Sequence, residues 1–393
     1  MNLEDFHVSR EYGFMLKDPL EVLPPPFNQW TDLCGRLSPL IETHQFRNEV
    51  KKLPLLDHHQ LTQHHQLRLA HLVLCMMSSG YIWQEGDRGV TKMLPSTLAV
   101  PLHGVSQRLG IKPVISHLDC VLANCKRIDP QGPFSLENLQ CLFLLPGGRA
   151  CEWFFLVTAQ VEMASVPGLR AVVDAVRCVL ESDSSGLIND LHLISESVHA
   201  MKLAVKRMHE ELPAGVFYNV MRPFLSGFGG DGSPLPKGVI YEGISEEPIK
   251  LPGGSAAQSS PIQCFDAALG IRHEEGKRAF LCQMRDHMPP AHKAFIEALE
   301  QGPSIKNFAE QSQDSDLQRA YNQTIQSLNE FRAYHITVVA KYITAMAQKN
   351  DRNKNVESLA KRGTGGQTLI PFLKSIQGTT NDAAINIDKE ELR

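Results

Sequence analysis

Apolar residues recur at steps of three or four along most of the chain, which is the spacing of one face of an α-helix. The same periodicity covers residues 64–84, 117–126, 152–166, 168–181, 187–211, 256–270, 278–285, 290–300 and 314–348. The clearest stripe lies in the last of these and consists of Leu328, Phe331, His335, Val338 and Tyr342. Alternating patterns typical of strands are scarce, so the sequence predicts an all-α fold.

Clusters of proline and glycine divide these helical stretches. The chain has 393 residues, which is more than one hydrophobic core usually serves, so we expect two domains. The strongest break is "LPGGRA" at 145–150. It predicts a small N-terminal helical domain, 1–146, and a large C-terminal domain, 147–393. The polar stretch 347–366 predicts a mobile loop in the large domain.

The composition of the chain limits which partners it is expected to bind and where in the cell it is expected to lie. Lys+Arg 39 against Asp+Glu 43 gives a net charge of -4, which argues against nucleic acid or an anionic membrane as a partner. The 9 cysteines include no CxxC pair, which is typical of reduced intracellular thiols. The apolar runs are shorter than the roughly 20 residues of a membrane span, and the N-terminus lacks a secretory pattern. We therefore expect a cytoplasmic protein.

His335 is the ionisable member of an otherwise apolar stripe. It could be a core histidine whose ring nitrogens are bonded to carbonyl groups. It could also be an axial ligand of haem, which requires a neutral imidazole in an apolar pocket. Arg332 lies one turn earlier, where a guanidinium could meet a haem propionate or a carboxylate. The spacing alone leaves both interpretations open.

Arg222 is a charge set among apolar and aromatic residues in "GVFYNVMRPFLSGF". An unpaired buried charge costs several kcal/mol, so a buried arginine requires a carboxylate partner. That partner could be an Asp or Glu of the core, or the carboxylate of a ligand. The neighbouring Phe217 would suit an aromatic amino acid, but the sequence leaves both interpretations open.

A run of histidines stands out by eye: His58, His59, His64, His65 and His71. A metal site on a helix needs imidazoles on one face, usually four residues apart, and a carboxylate at ligand spacing. These histidines are adjacent or six to seven residues apart, and no such carboxylate accompanies them. The pattern favours a solvated helix start, with Asp57 as its N-cap.

Two glycine-rich pieces, "GGSAAQSS" (253–260) and "RGTGGQT" (362–368), do not match a phosphate-binding loop. Their glycines instead permit close approach of the backbone to a ligand. The hydroxyl groups of Ser255 and Thr364 would then be available as hydrogen-bond donors.

"VIYEGI" (239–244) fits the V-x-Y-x-x-I pattern of inhibitory tyrosine phosphorylation motifs. The pattern is short, so a structural, buried Tyr241 is the simpler interpretation. The motif also supports a second hypothesis, in which Tyr241 is exposed and phosphorylated. The protein would then bind haem with vestigial catalysis and dock its partners through phosphorylated Tyr241. Exposure of this side chain separates the two.

Seven ordered motifs together resemble the indoleamine 2,3-dioxygenase family: "DCVLAN", "FFLVT", "IYEGI", "GGSAAQSS", "MRDHMPPAHKAFIEALE", "RAYHITVVAKYI" and "RGTGG". The likeness runs from about residue 10 to residue 380. It implies an all-α, two-domain fold that holds haem between helices of the large domain. It also implies a monomeric cytosolic enzyme with one haem b per chain, active as Fe(II). The implied reaction inserts both atoms of O2 into the indole C2=C3 bond of L-tryptophan, giving N-formylkynurenine, the first step of the kynurenine pathway.

The resemblance also assigns site residues. His335 would be the proximal iron ligand, and Arg332 would pair with a haem propionate and with Asp266. The distal side would consist of Phe154, Thr158, Phe217, Arg222, Ser255, Thr364 and His117. Within that set, Arg222 would bind the substrate carboxylate and Phe217 would pack on the indole. Thr364 would close over the ammonium side of the substrate, and Ser255 would also contact the cofactor.

Three positions resemble the second vertebrate paralogue of that family more than the better-studied one, which has Tyr, Ser and Gly there. They are His117, Thr158 and Ala257. One methyl in a tight pocket is worth about 1–3 kcal/mol in discrimination, so we expect weaker tryptophan affinity. Pro223 is predicted to disfavour α geometry at Arg222 and to shift the carboxylate clamp. Apart from His117, the distal set offers no acid or base.

Overall fold

A computed structural model describes residues 1–230, 233–351 and 368–387 of the chain. Helices dominate these ranges, which confirms the all-α fold class. The α-helices are α1 (Asn28–Gly35), α2 (Leu37–Glu42), α3 (Phe46–Val50), α4 (His64–Trp83), α5 (Ser96–Leu109), α6 (Gly148–Ala164), α7 (Val166–Glu181), α8 (Ser184–Lys206), α9 (Met208–Glu211), α10 (Ala214–Val216), α11 (Arg222–Leu225), α12 (Ser260–Ala268), α13 (Glu275–Arg285), α14 (Pro290–Gln301), α15 (Ile305–Gln311), α16 (Ser315–Val339), α17 (Ala345–Asp351) and α18 (Leu369–Asn381).

Other regular elements in the described part are short. The strands are β1 (Met93–Leu94), β2 (Cys125–Arg127), β3 (Leu139–Cys141) and β4 (Ile240–Tyr241). β1 pairs with β4 in parallel, and β2 pairs with β3 in antiparallel orientation. The 3-10 turns are Leu3–Phe6, His58–Gln60, Asp87–Gly89, Leu136–Asn138 and Ala256–Gln258, and the π-helical segments are Leu118–Leu122, Phe217–Met221 and Ala340–Thr344.

The long helix α8 lies at the centre of the packing and contacts α6, α7 and α16. The main apolar core is one cluster of buried side chains that runs from Leu3 to Ile385 and includes residues on both sides of position 146. A second, small cluster joins α13 to α18 through Phe280, Met284, Phe372 and Ile376. The division into domains 1–146 and 147–393 stays a prediction.

The predicted helix over 117–126 is wrong in its second part. Leu118–Leu122 is helical, in a π-helical turn, but the helix ends there, and Cys125 already pairs with Cys141 across the β2–β3 ladder. The reason lies in the side chain of Asp119, which accepts hydrogen bonds from the backbone nitrogen and hydroxyl of Ser116. A side chain that bonds to nearby backbone competes with a regular α-helix.

The expectation that Pro223 disfavours α geometry at Arg222 is also wrong, while the predicted shift of the carboxylate clamp stays a prediction. Arg222 has φ -57 and ψ -37, so it keeps α geometry. Pro223 falls in the first turn of α11, a position that suits proline because its fixed φ matches the helix. The preceding π-helical segment, Phe217–Met221, absorbs the change of hydrogen-bond pattern.

The predicted mobile loop at 347–366 begins inside a helix, because α17 extends through Asp351. The rest of that stretch, including Thr364, lies outside the described residues. Within the described ranges, none of the helices combines the length and apolar character required to cross a bilayer.

Two glycine backbones cross in direct contact beside α11. A Cβ built on Gly253 would lie 2.3 Å from the backbone nitrogen of Gly227 and 2.3 Å from the carbonyl oxygen of Leu225. The nitrogen of Gly254 donates to the same Leu225 oxygen at 3.0 Å. Only glycine permits this approach, which holds the loop that carries Ser255 against the segment that follows Arg222.

We expect Gly253→Ala to destabilise the protein by about 3 kcal/mol, since the atoms that meet the new methyl group belong to backbone and cannot rotate away. Gly378→Ala is the matched control, because a Cβ at that exposed position on α18 meets nothing within 4 Å. The control should be neutral or stabilising by roughly 0.5–1 kcal/mol. Urea unfolding of the two variants checks this. Equal stability would contradict the backbone crossing.

Candidate functional site

His335 lies on α16, within the apolar stripe that its spacing predicts. Its ring has no hydrogen-bond partner among the described residues, and the side chain is half-buried. Burial, with a smaller contribution from the Arg332 charge, lowers the pKa of His335 to about 4. At neutral pH this imidazole is uncharged and can act as a ligand.

Arg332 lies one turn before His335 and is 7% exposed. Its Nη2 donates to both carboxylate oxygens of Asp266 at 2.7 Å, and Nη1 donates to the hydroxyl of Thr380. Asp266 also bonds the Nε2 of His273 at 2.9 Å. The structure thus brings Arg332 and Asp266 together and ties α16 to α12 and α18. Both terminal nitrogens of the guanidinium have protein partners, so a propionate would have to share them or use Nε.

The ion pair settles the charge state of Asp266. Burial opposes ionisation of this carboxyl, but the Arg332 guanidinium and the hydrogen bond with His273 outweigh it and hold its pKa below the usual value. The carboxylate is therefore charged at neutral pH and neutralises the guanidinium inside the core.

The residues around His335 fit haem. Haem requires a neutral imidazole for its iron and an apolar surrounding for its ring system. His335 supplies the first, and its neighbours Phe331 and Val338 on the same stripe supply part of the second. The guanidinium of Arg332 lies one turn away, where it would also donate to an anionic group of the cofactor.

An aromatic chain connects the helix of His335 to the predicted distal residues. Tyr342 lies in the π-helical segment that continues α16, and its ring contacts Phe217 edge to face with centroids 5.9 Å apart. Phe217 contacts Phe154 of α6 at 5.0 Å. Phe154 and Phe217 are half-buried, while Tyr342 is buried and donates to the carbonyl oxygen of Leu212 at 3.0 Å. These contacts place two predicted distal side chains side by side.

Arg222 and Phe217 belong to one continuous helical stretch. In a regular α-helix, residues five apart point in clearly different directions. The π-helical segment Phe217–Met221 joins residues five apart by hydrogen bonds, so it brings the two side chains closer to one face. Arg222 is 4% exposed and lies over the ring of Tyr218, 5.3 Å from its centroid. Burial lowers its pKa, against the opposing effects of Tyr218 and Asp87.

Thr158 and Ser255 use their hydroxyl groups differently. Thr158 donates to the carbonyl oxygen of Phe154, one turn earlier on α6, at 2.7 Å. Its hydrogen is therefore engaged, and only its lone pairs remain for a ligand. Ser255 accepts from the nitrogen of Ala257 at 3.2 Å, so its hydrogen is still available to donate.

His117 is not a lone distal histidine, which corrects the sequence-based expectation that no acid accompanies it. Its Nε2 lies 2.8 Å from Oε1 of Glu162, which also accepts from the hydroxyl of Ser259 at 2.7 Å. Glu162 is 3% exposed. It follows Phe154 and Thr158 at steps of four on α6, and this helical spacing was the signal that could have found it.

Gln258 links two of the predicted site segments. Its Oε1 accepts from the backbone nitrogen of His117 at 3.0 Å and from that of Ser255 at 3.3 Å, while its amide donates to Gly253. Together with the bond between His117 and Glu162, this amide joins the 116–122 turn, α6 and the 253–258 loop into one network. No local sequence pattern singled out this glutamine.

The other sequence candidates fall elsewhere. Asp57 caps the 3-10 turn His58–Gln60 and not α4, which begins after Gln63. His71 is not part of a solvated helix start, since it is 1% exposed. Tyr241 is fully buried and donates to the carbonyl oxygen of Pro113 at 2.6 Å.

Comparison with known proteins places this arrangement in a family. The family model described as indoleamine 2,3-dioxygenase matches residues 2–383. Indoleamine 2,3-dioxygenase 2 of Homo sapiens is 41% identical over 392 residues, which cover 98% of this chain and 96% of the relative. Indoleamine 2,3-dioxygenase 1 of Mus musculus is 39% identical over 391 residues, with 98% and 96% coverage. A myoglobin of Haliotis madaka is 39% identical over 381 residues, with 97% and 98% coverage.

The helical fold, the neutral histidine and these matches identify an enzyme of the haem dioxygenase class. The chain belongs to the indoleamine 2,3-dioxygenase family.

We expect Asp266→Asn to destabilise the protein by about 3–5 kcal/mol at neutral pH, because the Arg332 charge would stay buried without its carboxylate. The folded pKa of Asp266 lies below its unfolded value, so its stabilising effect is present above about pH 4 and is lost as the pH falls through the folded pKa. The gap between wild type and variant should therefore close in acid. Denaturant unfolding at several pH values measures it.

Asp316→Asn is the matched control, since this aspartate lies on the same helix with its side chain 74% exposed. Its effect should stay within about 1 kcal/mol at every pH. A similar loss of stability in both variants would show that the Asp266 pair has no special weight.

Proposed function

We propose that this chain binds one haem b through His335 and, in the ferrous state, inserts both atoms of O2 into the indole C2=C3 bond of L-tryptophan. The product is N-formylkynurenine. The observation that carries the proposal is the state of His335, which is neutral, half-buried on an apolar helix face and without a hydrogen-bond partner in the described part of the chain. Membership of the family supports the same reaction.

The protein residues bind and orient the substrate in this proposal. Arg222 binds the substrate carboxylate, because a guanidinium forms charge-assisted and directional bonds with it. Phe217 and Phe154, in contact at 5.0 Å, pack on the indole and keep water away from it. Ser255 donates its hydroxyl hydrogen, and Thr364, which lies outside the described ranges, is expected to close over the ammonium side.

Bound haem supplies the iron at which O2 is activated. The chain contributes position more than proton transfer. His117 and Ser259 both bond the same oxygen of Glu162, so His117 is held in place by the protein and does not act as a free base. Holding the indole beside the oxygen site in a dry pocket is catalysis by orientation.

We further propose weak tryptophan affinity. The hydroxyl of Thr158 donates to the carbonyl oxygen of Phe154 on the same helix. In the proposed pocket this residue therefore offers a methyl group to the substrate and no hydrogen-bond donor. Such a methyl is worth about 1–3 kcal/mol in a tight site.

Oxygen binding without substrate oxidation is the second candidate, favoured by the 39% identical relative from Haliotis madaka that is named a myoglobin. Turnover of tryptophan separates the two. The docking function through phosphorylated Tyr241 has no support in the position of this residue, whose side chain is 0% exposed.

We expect His335→Ala to lose stoichiometric haem binding, because the iron would lose its nitrogen ligand. A haem titration followed by reduction and addition of CO, read in the Soret region, measures the loss. His292→Ala, which removes another buried histidine (4% exposed), is the matched control and should keep the His-ligated spectrum. Normal haem binding by the His335 variant would return this residue to the status of a core histidine.

Arg222→Ala should retain haem and raise the KM for tryptophan by roughly 100-fold, since a lost charge-assisted hydrogen bond costs about 3 kcal/mol. Indole derivatives that lack the carboxylate should be used equally well by wild type and variant. Arg319→Ala, on the exposed side of α16, is the control and should leave KM unchanged. An unchanged KM in the Arg222 variant would rule out the carboxylate clamp.

A further inference from the structure

A buried polar cluster on α4 lies apart from the residues assigned to haem and substrate. The Nδ1 of His71 is 2.6 Å from Oδ1 of Asp119, and its Nε2 is 3.1 Å from the carbonyl oxygen of Lys112. His71 and Asp119 are each 1% exposed. The sulfur of Cys75, one turn along α4, is 3.6 Å from the Nδ1 of His71.

The hydrogen-bond pattern fixes the orientation of these side chains. Oδ2 of Asp119 accepts from the nitrogen and the hydroxyl of Ser116, at 3.0 and 2.8 Å. With His71 at Oδ1, both carboxylate oxygens therefore have partners. The two ring nitrogens of His71 face a carboxylate and a carbonyl group, so the ring bridges Asp119 and the backbone of Lys112 inside the core.

The donor atoms of His71, Cys75 and Asp119 lie within 4.8 Å of one another, a set that a divalent metal could use. One observation favours the hydrogen-bonded pair over a metal. The oxygens of Asp119 are already engaged, Oδ1 by the ring of His71 and Oδ2 by the backbone nitrogen and the hydroxyl of Ser116.

Other elements also face this pair. Arg68 from α4 is attracted by Asp119, although burial lowers the arginine pKa to about 10. Burial, with a smaller contribution from the charge of Lys112, lowers the pKa of His287 to about 4, so this histidine after α13 is neutral. The positive charge of Arg68 and the ring of His71 thus face one buried carboxylate, which makes Asp119 costly to displace.

Asp119 closes the turn that carries His117. Its backbone nitrogen and that of Cys120 donate to the carbonyl oxygen of Ser116 at 3.2 and 3.1 Å. His117 lies between these residues and reaches Glu162 with its ring and Gln258 with its backbone nitrogen. The position of the turn on α4 therefore decides where His117 meets α6.

We propose that His71 and Asp119 are positioning residues whose buried hydrogen bond anchors the 116–122 turn to α4 and thereby places His117 in the distal wall. The effect on tryptophan use rests on the function proposed above. The effect on the position of His117 does not.

The first test is the nitrogen NMR spectrum of histidine-labelled protein. We expect the Nδ1 of His71, assigned by the absence of its signal in His71→Gln, to carry hydrogen, because it faces the carboxylate of Asp119. The His117 signals should shift in His71→Gln and stay in place in His292→Gln, a control at another buried histidine. A wild-type His71 ring whose Nδ1 carries no hydrogen would overturn the proposal, whether or not any variant folds.

The second test is the kinetics of haem-loaded variants. His71→Gln should keep the ferrous-CO spectrum and raise the tryptophan KM about tenfold, with a smaller change in kcat. His71→Arg, which again offers hydrogen-bond donors to Asp119, should recover most of the tryptophan affinity. An unchanged tryptophan KM in folded His71→Gln would overturn the proposal. So would stoichiometric zinc in the purified wild type that is lost in Cys75→Ser, because the cluster would then be a metal site. If the wild type does not oxidise tryptophan, the proposed function fails while the NMR test still decides the positioning.

Discussion

The site depends on one buried charge. Arg332 is enclosed by the core, and its guanidinium is neutralised by Asp266 and bonded to Thr380, so three helices distant in sequence meet at one side chain. That meeting point fixes the rotation of α16 about its axis, and with it the direction of the His335 ring one turn later. The same positive charge adds to the effect of burial in keeping His335 neutral. A charge that would otherwise destabilise the fold thus sets both the orientation and the protonation of the candidate ligand.

The predicted distal residues come from separate segments of the chain, and several of these segments depart from regular α-helix. π-Helical segments follow His117, contain Phe217 and continue α16 beyond His335. A wider turn changes which side chains share a face, and such turns are frequent at functional sites. Hydrogen bonds from His117 to Glu162 and to Gln258 then join α6 to the loop of Ser255. The described residues therefore form a connected wall, whose parts come from distant points of the sequence.

Helical periodicity was sufficient to predict the fold class and to place His335 and Arg332 on one helix. It could not pair Arg332 with Asp266, since 66 positions separate them, and that pairing came only from the family resemblance. The partners of His117 and His71 lie 45 and 48 positions away, so no local pattern contained them. Periodicity also could not show that the helix predicted over 117–126 ends after Leu122, where the side chain of Asp119 bonds to nearby backbone. The expectation for Pro223 failed for another reason, since this proline falls in the first turn of α11, after a π-helical segment.

In the proposed reaction this chain places tryptophan beside an oxygen site and delivers both oxygen atoms to it. Mass spectrometry of the product formed by haem-loaded, reduced protein under isotopically heavy O2 follows both atoms. We expect N-formylkynurenine that carries two heavy oxygen atoms from a single O2 molecule. Product with one heavy atom, or reversible oxygen binding with no product at all, would contradict it.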